Sequence, residues 1–205
     1  MENELIINGV KYVKWEEPKT YKVYDLVKYN GYEWIVIKVE DNKLTLMMKK
    51  CLSKEKMKEI FNNKYLEDNG IKYSLDEICN DWNKTEIKRG LNNGFLKEFN
   101  KEELVKMKTN FDENKYSYDY IRIPKIREIE RLDLDRIAPD KYCWTMSPSP
   151  FWVVSGAAFE WFENSTGALF GGWVGSSTSV RPVITLKSDN LNIEKIGIVW
   201  IRESS

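Results

Sequence analysis

Between Trp144 and Leu186 the chain almost stops carrying charge. Of these 43 residues only Glu160, Glu163 and Arg181 are ionised, whereas 31% of the whole sequence is Asp, Glu, Lys or Arg. Four of the eight tryptophans (Trp144, Trp152, Trp161, Trp173) and five of the eleven glycines fall in the same stretch. Such a segment must bury itself against the rest of the protein or against a partner. Its Gly, Ser and Thr content argues against one long buried helix. We read it as short strands and turns whose inward residues fill the core and whose outward residues form an adaptable surface.

The remaining sequence frames that stretch. A length of 205 residues fits one domain with a small appendage. Net charge is zero, which gives no electrostatic footprint for nucleic acid or an anionic membrane. No apolar run reaches transmembrane length, and the start lacks the pattern of a secretory signal. Synthesis in the cytoplasm is therefore expected, with any virion or cell-surface location reached by a route the sequence does not display. Cys51, Cys79 and Cys143 are odd in number and widely spaced, so reduced thiols are expected. Histidine is absent, which removes Ser-His and Cys-His nucleophiles and any zinc site that needs imidazole.

Along the chain, Asn8-Gly9 between Glu4–Ile7 and Val10–Lys14 predicts a hairpin, because both turn residues must take positive φ. With the linker to residue 20 it forms a separate N-terminal piece, and 21–205 forms the main domain. Tyr32–Val39 and Lys43–Lys49 predict a second hairpin across Asp41-Asn42. The alternation puts Ile35, Ile37 and Val39 on its core face, with Trp34 and Val36 on the other. Ser53–Asn62 is a short amphipathic helix, and Asn62–Asn80 a polar loop. A longer helix is expected over Asn83–Phe99, opened by Asn83 with Glu86 and striped by Ile87, Leu91 and Phe95. Asn100 starts a second helix, with Leu104 and Met107 inward. Tyr116–Ile123 is a strand stopped by Pro124, and Lys125–Leu132 a helical turn with Ile126 and Ile129 inward. Val180–Lys187 and Ile196–Arg202 are strands, with Pro182 at an edge or a strand start.

Four phrases, in order, resemble a bacterial and phage domain of unknown function. They are Trp34 to Ile37; Trp82 through Ile87, Leu91, Asn92 and Phe95 to Phe99; Trp144 with Ser147 and Pro148; and Val180, Arg181, Pro182 and Val183. The resemblance spans roughly Val23 to Lys187. Ser179 stands where that family often has Gly, and Met146 where it often has Arg. The family is similar to C-type-lectin-like domains, including the variable proteins of diversity-generating retroelements and phage receptor-binding proteins. The resemblance implies an α+β, C-type-lectin-like fold with two helices beside a small irregular antiparallel sheet. It also implies a ligand surface built from the C-terminal third.

On that surface the contact candidates are Phe151, Trp152, Phe159, Trp161, Phe162, Phe170 and Trp173, with Ser149, Ser155, Ser176, Ser177 and Thr178 supplying hydrogen bonds. Aromatics interleaved with Ser and Gly make adaptable contacts of low entropic cost. Any one of these rings could equally fill the core. The adjacent pairs Phe151-Trp152 and Trp161-Phe162 argue for the set, because neighbours on a strand alternate faces. Arg181, nearly alone in an apolar setting, calls for a carboxylate or carbonyl partner. Glu160 and Glu163 could form an acid/base pair, but two solvated carboxylates are the favoured reading. Asp41-Asn42, Asp76-Glu77 and Asp112-Glu113 carry no EF-hand spacing, so neither metal nor cofactor is expected.

The expectation is a non-enzymatic protein of phage or prophage type that recognises a protein or glycan on residues 149–178. No nucleic acid or membrane partner is expected, and homo-oligomerisation stays open. The rivals are a carboxylate-based hydrolase using Glu160 or Glu163, and a structural virion or assembly protein.

Overall fold

In the computed structural model, residues 20–68, 70–73, 75, 82–109, 117–146, 175–187 and 193–196 are described in full; Glu4–Ile7, Val10–Trp15, Ala157–Trp161, Leu169–Trp173, Val199–Arg202 and the end of Cys143–Pro148 are described by their backbone course. The protein is α+β.

Its centre is a six-stranded antiparallel sheet. Strands β3 (Leu26–Tyr29), β4 (Tyr32–Glu40) and β5 (Lys43–Met48) form a meander. The β3–β4 turn is Asn30-Gly31, both at positive φ (51° and 77°), which matches the twist of the flanking strands. On the far side of β5 lie β15 (Val183–Lys187) and β10 (Ile121–Arg122); beyond β3 lies β16 (Glu194–Lys195). Pro182 immediately precedes β15, where its missing N–H costs nothing, and its carbonyl accepts from Met48 N at 2.9 Å. β15 is thus interior, paired with β5 on one side and β10 on the other.

Both faces of this sheet are covered. On one, Trp34, Val36, Leu46 and Ile184 pack with α1 (Lys54–Ile60) and α2 (Glu86–Asn93) through Met57, Ile60, Ile87 and Leu91. On the other, Ile35, Ile37, Met47 and Val183 pack with Ile129 of α3 (Ile126–Ile129) and Ile137 of α4 (Leu134–Ile137). The expected choice of one core face for the β4–β5 hairpin is therefore corrected: the Trp34/Val36 face carries the larger cluster, and Val39 is 43% exposed. A register shift between Val36 and Lys38 breaks the alternation from which that choice was made.

The helical region also departs from expectation. Helix α2 is capped by Thr85, whose hydroxyl accepts from Lys88 N at 3.1 Å, and Asn83 lies in a preceding 3-10 turn, Trp82–Lys84. At Gly94 the helix gives way to a second 3-10 turn, Phe95–Glu98. Close packing explains the glycines: a Cβ on Gly90 would lie 2.2 Å from Phe61 Cδ1, and one on Gly94 would lie 2.9 Å from Ile60 Cβ. The expected helix from Asn100 is absent. Val105 N donates instead to Thr185 O at 2.8 Å, Lys187 N donates to Glu103 O at 3.0 Å, and Leu104 bridges Leu186. Met107 begins β8 (Met107–Lys108), paired with β9 (Tyr118–Asp119). Sheet hydrogen bonds from β15 thus displaced a locally plausible helix. The expected strand over Tyr116–Ile123 is split into β9 and β10 at Tyr120. There Asn92 Oδ1 accepts from Tyr120 N and Ile121 N (both 3.1 Å) and its Nδ2 donates to Ile121 O (2.7 Å).

The expected loop over Asn62–Asn80 contains a small hairpin, β6 (Leu66–Glu67) and β7 (Gly70–Lys72), joined by β14 (Ser177–Thr178). Ile71 and Tyr73 anchor it in the core. The remaining sheets are three-stranded. One joins β1 (Glu4–Ile7) and β2 (Val10–Trp15), in the expected Asn8-Gly9 hairpin register, to β17 (Val199–Arg202). The other joins β11 (Cys143–Pro148), β12 (Ala157–Trp161) and β13 (Leu169–Trp173).

Candidate functional site

The two ends of the charge-poor stretch are anchored in the core side by side. On the outward side, Trp144 is fully buried, donates Nε1–H to Ile71 O at 2.7 Å and meets Tyr73 edge-on at 5.4 Å. Met146 N donates to Pro124 O at 2.8 Å. On the return side, Ser179 lies beside these residues: Trp144 N donates to Ser179 O at 3.1 Å and Ser179 N to Tyr142 O at 2.9 Å. Two residues on, Arg181 is sealed from solvent. Its Nε donates to Met48 O (2.6 Å), Nη1 to Ile137 O (2.5 Å) and Nη2 to Lys49 O (3.1 Å). The expected partner for this arginine is thus a set of carbonyls at the end of β5 and of α4. Burial lowers the guanidinium's proton affinity, and nearby Cys143, Cys51 and Asp140 act the other way. Arg181 is structural: it fixes where the stretch rejoins the sheet.

Between these anchors, β11, β12 and β13 form an antiparallel ribbon. Its β12–β13 register pairs Ala157 with Trp173, Phe159 with Gly171, Glu160 with Phe170 and Trp161 with Leu169. Opposed residues share a face and successive residues alternate. Register alone therefore assigns Phe159, Trp161, Leu169 and Trp173 to one face and Glu160 and Phe170 to the other. Three of the seven aromatic candidates are thereby brought together, and Phe170 is separated from them. Phe151, Trp152, Phe162, Ser149 and Ser155 lie outside the described residues, as does Glu163. Glu160 is opposed by Phe170 on one side and by Trp144 on the other.

The hydroxyl candidates divide. Ser176 and Ser177 are half-buried, and Ser177 pairs with Lys72. Thr178 is only 3% exposed and pairs with Ile71, so its side chain belongs to the interior rather than to a contact surface. Gly70 makes this pairing feasible. It sits at φ +150°, and a Cβ there would lie 2.1 Å from Thr178 O.

Beside Ser177 the fold assembles a groove that sequence reasoning missed. Lys54 and Lys58 of α1, Leu66, Glu67 and Asp68 line an open concavity of about 590 Å³ with Ser177 at its edge. Lys54 pairs with Asp68 at 3.1 Å and Lys72 with Glu67 at 2.7 Å. The Lys72 hydrogen bond, joined by one from Ser177, holds the Glu67 carboxyl below its usual range. No local pattern announces this groove, because it exists only once β14 has paired with β7. Glu67 and Asp68 are both engaged with lysines. Among the described residues no group of three or more His, Cys, Asp or Glu could hold a metal ion, and no helix is long and apolar enough to cross a membrane.

No protein-family model, curated protein or solved structure matches the chain.

Proposed function

We propose that this chain is a ligand-binding protein rather than an enzyme, with a C-type-lectin-like α+β domain of phage or prophage type. Its recognition surface is the ribbon and loops of residues 149–178, and its ligand is a protein or a glycan. The observation that carries this reading is the β12–β13 register, which gathers Phe159, Trp161 and Trp173 on one face of a nearly uncharged ribbon. Flat rings held on paired strands bury much area at little entropic cost, which suits both sugar faces and protein hot spots. Rigid anchoring at Trp144 and Arg181 supplies the scaffold that such a surface needs. Ser177 and the lysines of the adjoining groove add polar partners at its rim.

The test is a printed glycan array together with a panel of whole bacterial cells, probed with the full chain and with a Trp161→Ser/Trp173→Ser variant. The expected result is binding by the parent that the variant loses, while its thermal midpoint stays within about 2 °C, as for substitutions outside a core. A midpoint that collapses would show these rings to be core, and a folded variant that binds as the parent does would remove them from the site.

A further inference from the structure

The fold brings together two of three cysteines that lie 92 positions apart in sequence. Cys51 follows β5 and Cys143 opens β11, and both sit in the core cluster with Ile35, Met47, Ile137 and Val183. Each is pinned by its backbone. Cys51 N donates to Asp140 Oδ1 at 2.7 Å, and the next residue, Leu52, donates its N–H to Val180 O at 2.8 Å. Cys143 bridges Ser179, one residue from Val180. Side chains support the juxtaposition: the Cys51 thiol donates to Lys141 O, two residues before Cys143, at 3.9 Å, and both cysteines belong to one buried cluster.

We propose that Cys51 and Cys143 are a latent disulfide, closed when the chain folds under oxidising conditions, which staples the root of the recognition ribbon to the end of β5. In the balanced step one cysteine thiolate attacks glutathione disulfide, releasing one reduced glutathione. The second cysteine then displaces another glutathione from the mixed disulfide, so that two electrons and two protons leave the protein as two thiols. Bond formation brings the two sulfurs to about 2.05 Å.

Timing follows from the surroundings. The hydrogen bond from Cys143, then burial, then the charges of Cys143 and Asp140 push the Cys51 thiol well above its ordinary value, against the opposing charge of Arg181. Only a thiolate attacks a disulfide. Cys143 is fully buried and Cys51 only 8% exposed, so the folded reduced protein shields both thiols from glutathione disulfide and the bridge forms while the chain is still open.

The experiment refolds the denatured, reduced full chain in a glutathione redox buffer, blocks free thiols with N-ethylmaleimide and maps the peptides by mass spectrometry. A Cys51–Cys143 cross-linked peptide should predominate, with Cys79 alkylated. The midpoint should rise by roughly 10 °C over the reduced form, because the bridge closes a loop of about 90 residues. A Cys79→Ser chain should behave identically, which leaves Cys51 and Cys143 as the only thiols able to pair. Folded reduced protein in the same buffer should oxidise far more slowly. Recovery of Cys51 and Cys143 both alkylated after refolding, or cross-linked to Cys79 instead of each other, would overturn the proposal.

Discussion

Replacing Arg181 by Met keeps most of its volume and removes its donors. Three carbonyls, of Met48, Ile137 and Lys49, lose a charged partner at 2.5–3.1 Å, the first two of them in fully buried bonds. Each orphaned buried acceptor costs about 1–3 kcal/mol. Removing the guanidinium also recovers part of its own desolvation penalty, so the three do not simply add. We expect a net loss of about 3–5 kcal/mol, which for a chain of this length lowers the thermal midpoint by roughly 8–15 °C. Urea unfolding followed by far-UV circular dichroism should show an earlier midpoint with an unchanged slope. Arg181→Lys should recover less than half of the loss, since one ammonium cannot reach three carbonyls arranged around a planar fork. A loss below about 1 kcal/mol for Arg181→Met would refute the reasoning, because the carbonyls would then have found other partners.

Other perturbations probe separate parts of the fold. Gly90→Ala should destabilise by about 1–3 kcal/mol in thermal denaturation despite its better helix propensity, because the new methyl meets the Phe61 ring and Ile60 O. Glu128→Gln breaks the bidentate pair with buried Arg122 and should cost roughly 2 kcal/mol at neutral pH. Burial raises the Glu128 pKa, but Arg122 and then Lys125 N outweigh it and hold the carboxyl below its ordinary 4.5. The pair's contribution is therefore intact above pH 4.5 and fades as pH falls through the depressed folded value, so the gap between parent and variant should close in acid. Tyr32 donates to Glu98 at 2.6 Å, and burial followed by that bond pushes its phenol up to about 12. The parent should lose stability between pH 10 and about 12, and Tyr32→Phe should flatten that alkaline decline.

The parts legible in the sequence are those decided locally. Alternation around Asp41-Asn42 marked the β4–β5 hairpin, and Met57, Ile60 and Phe61 marked α1. Asn30-Gly31 carries the same turn signal as Asn8-Gly9 and closes the β3–β4 hairpin with both residues at positive φ. What stayed hidden depends on long-range partners. Residues after Asn100 satisfy local helix rules, yet their backbone groups bond to β15. Asn92 interrupts a strand some thirty residues downstream by occupying its amide and carbonyl groups. Ile71 and Tyr73 offered a short apolar alternation inside a polar stretch, which became a strand only against Thr178. For the site, composition located the ribbon, but only register could sort Phe159, Trp161 and Trp173 from Phe170. The Cys51–Cys143 contact had no sequence signal at all.

The recognition surface stands or falls on whether aromatic rings of residues 149–178 meet solvent in the free protein. Trp34, Trp82 and Trp144 are fully buried, so in a Trp15→Phe/Trp200→Phe chain any quenchable emission must come from Trp152, Trp161 or Trp173. Titration with iodide and with acrylamide should reveal a distinct accessible fraction in that chain, abolished by Trp161→Phe/Trp173→Phe/Trp152→Phe. Emission that resists both quenchers throughout would mean that all three indoles are sealed within one subunit, and would contradict the account.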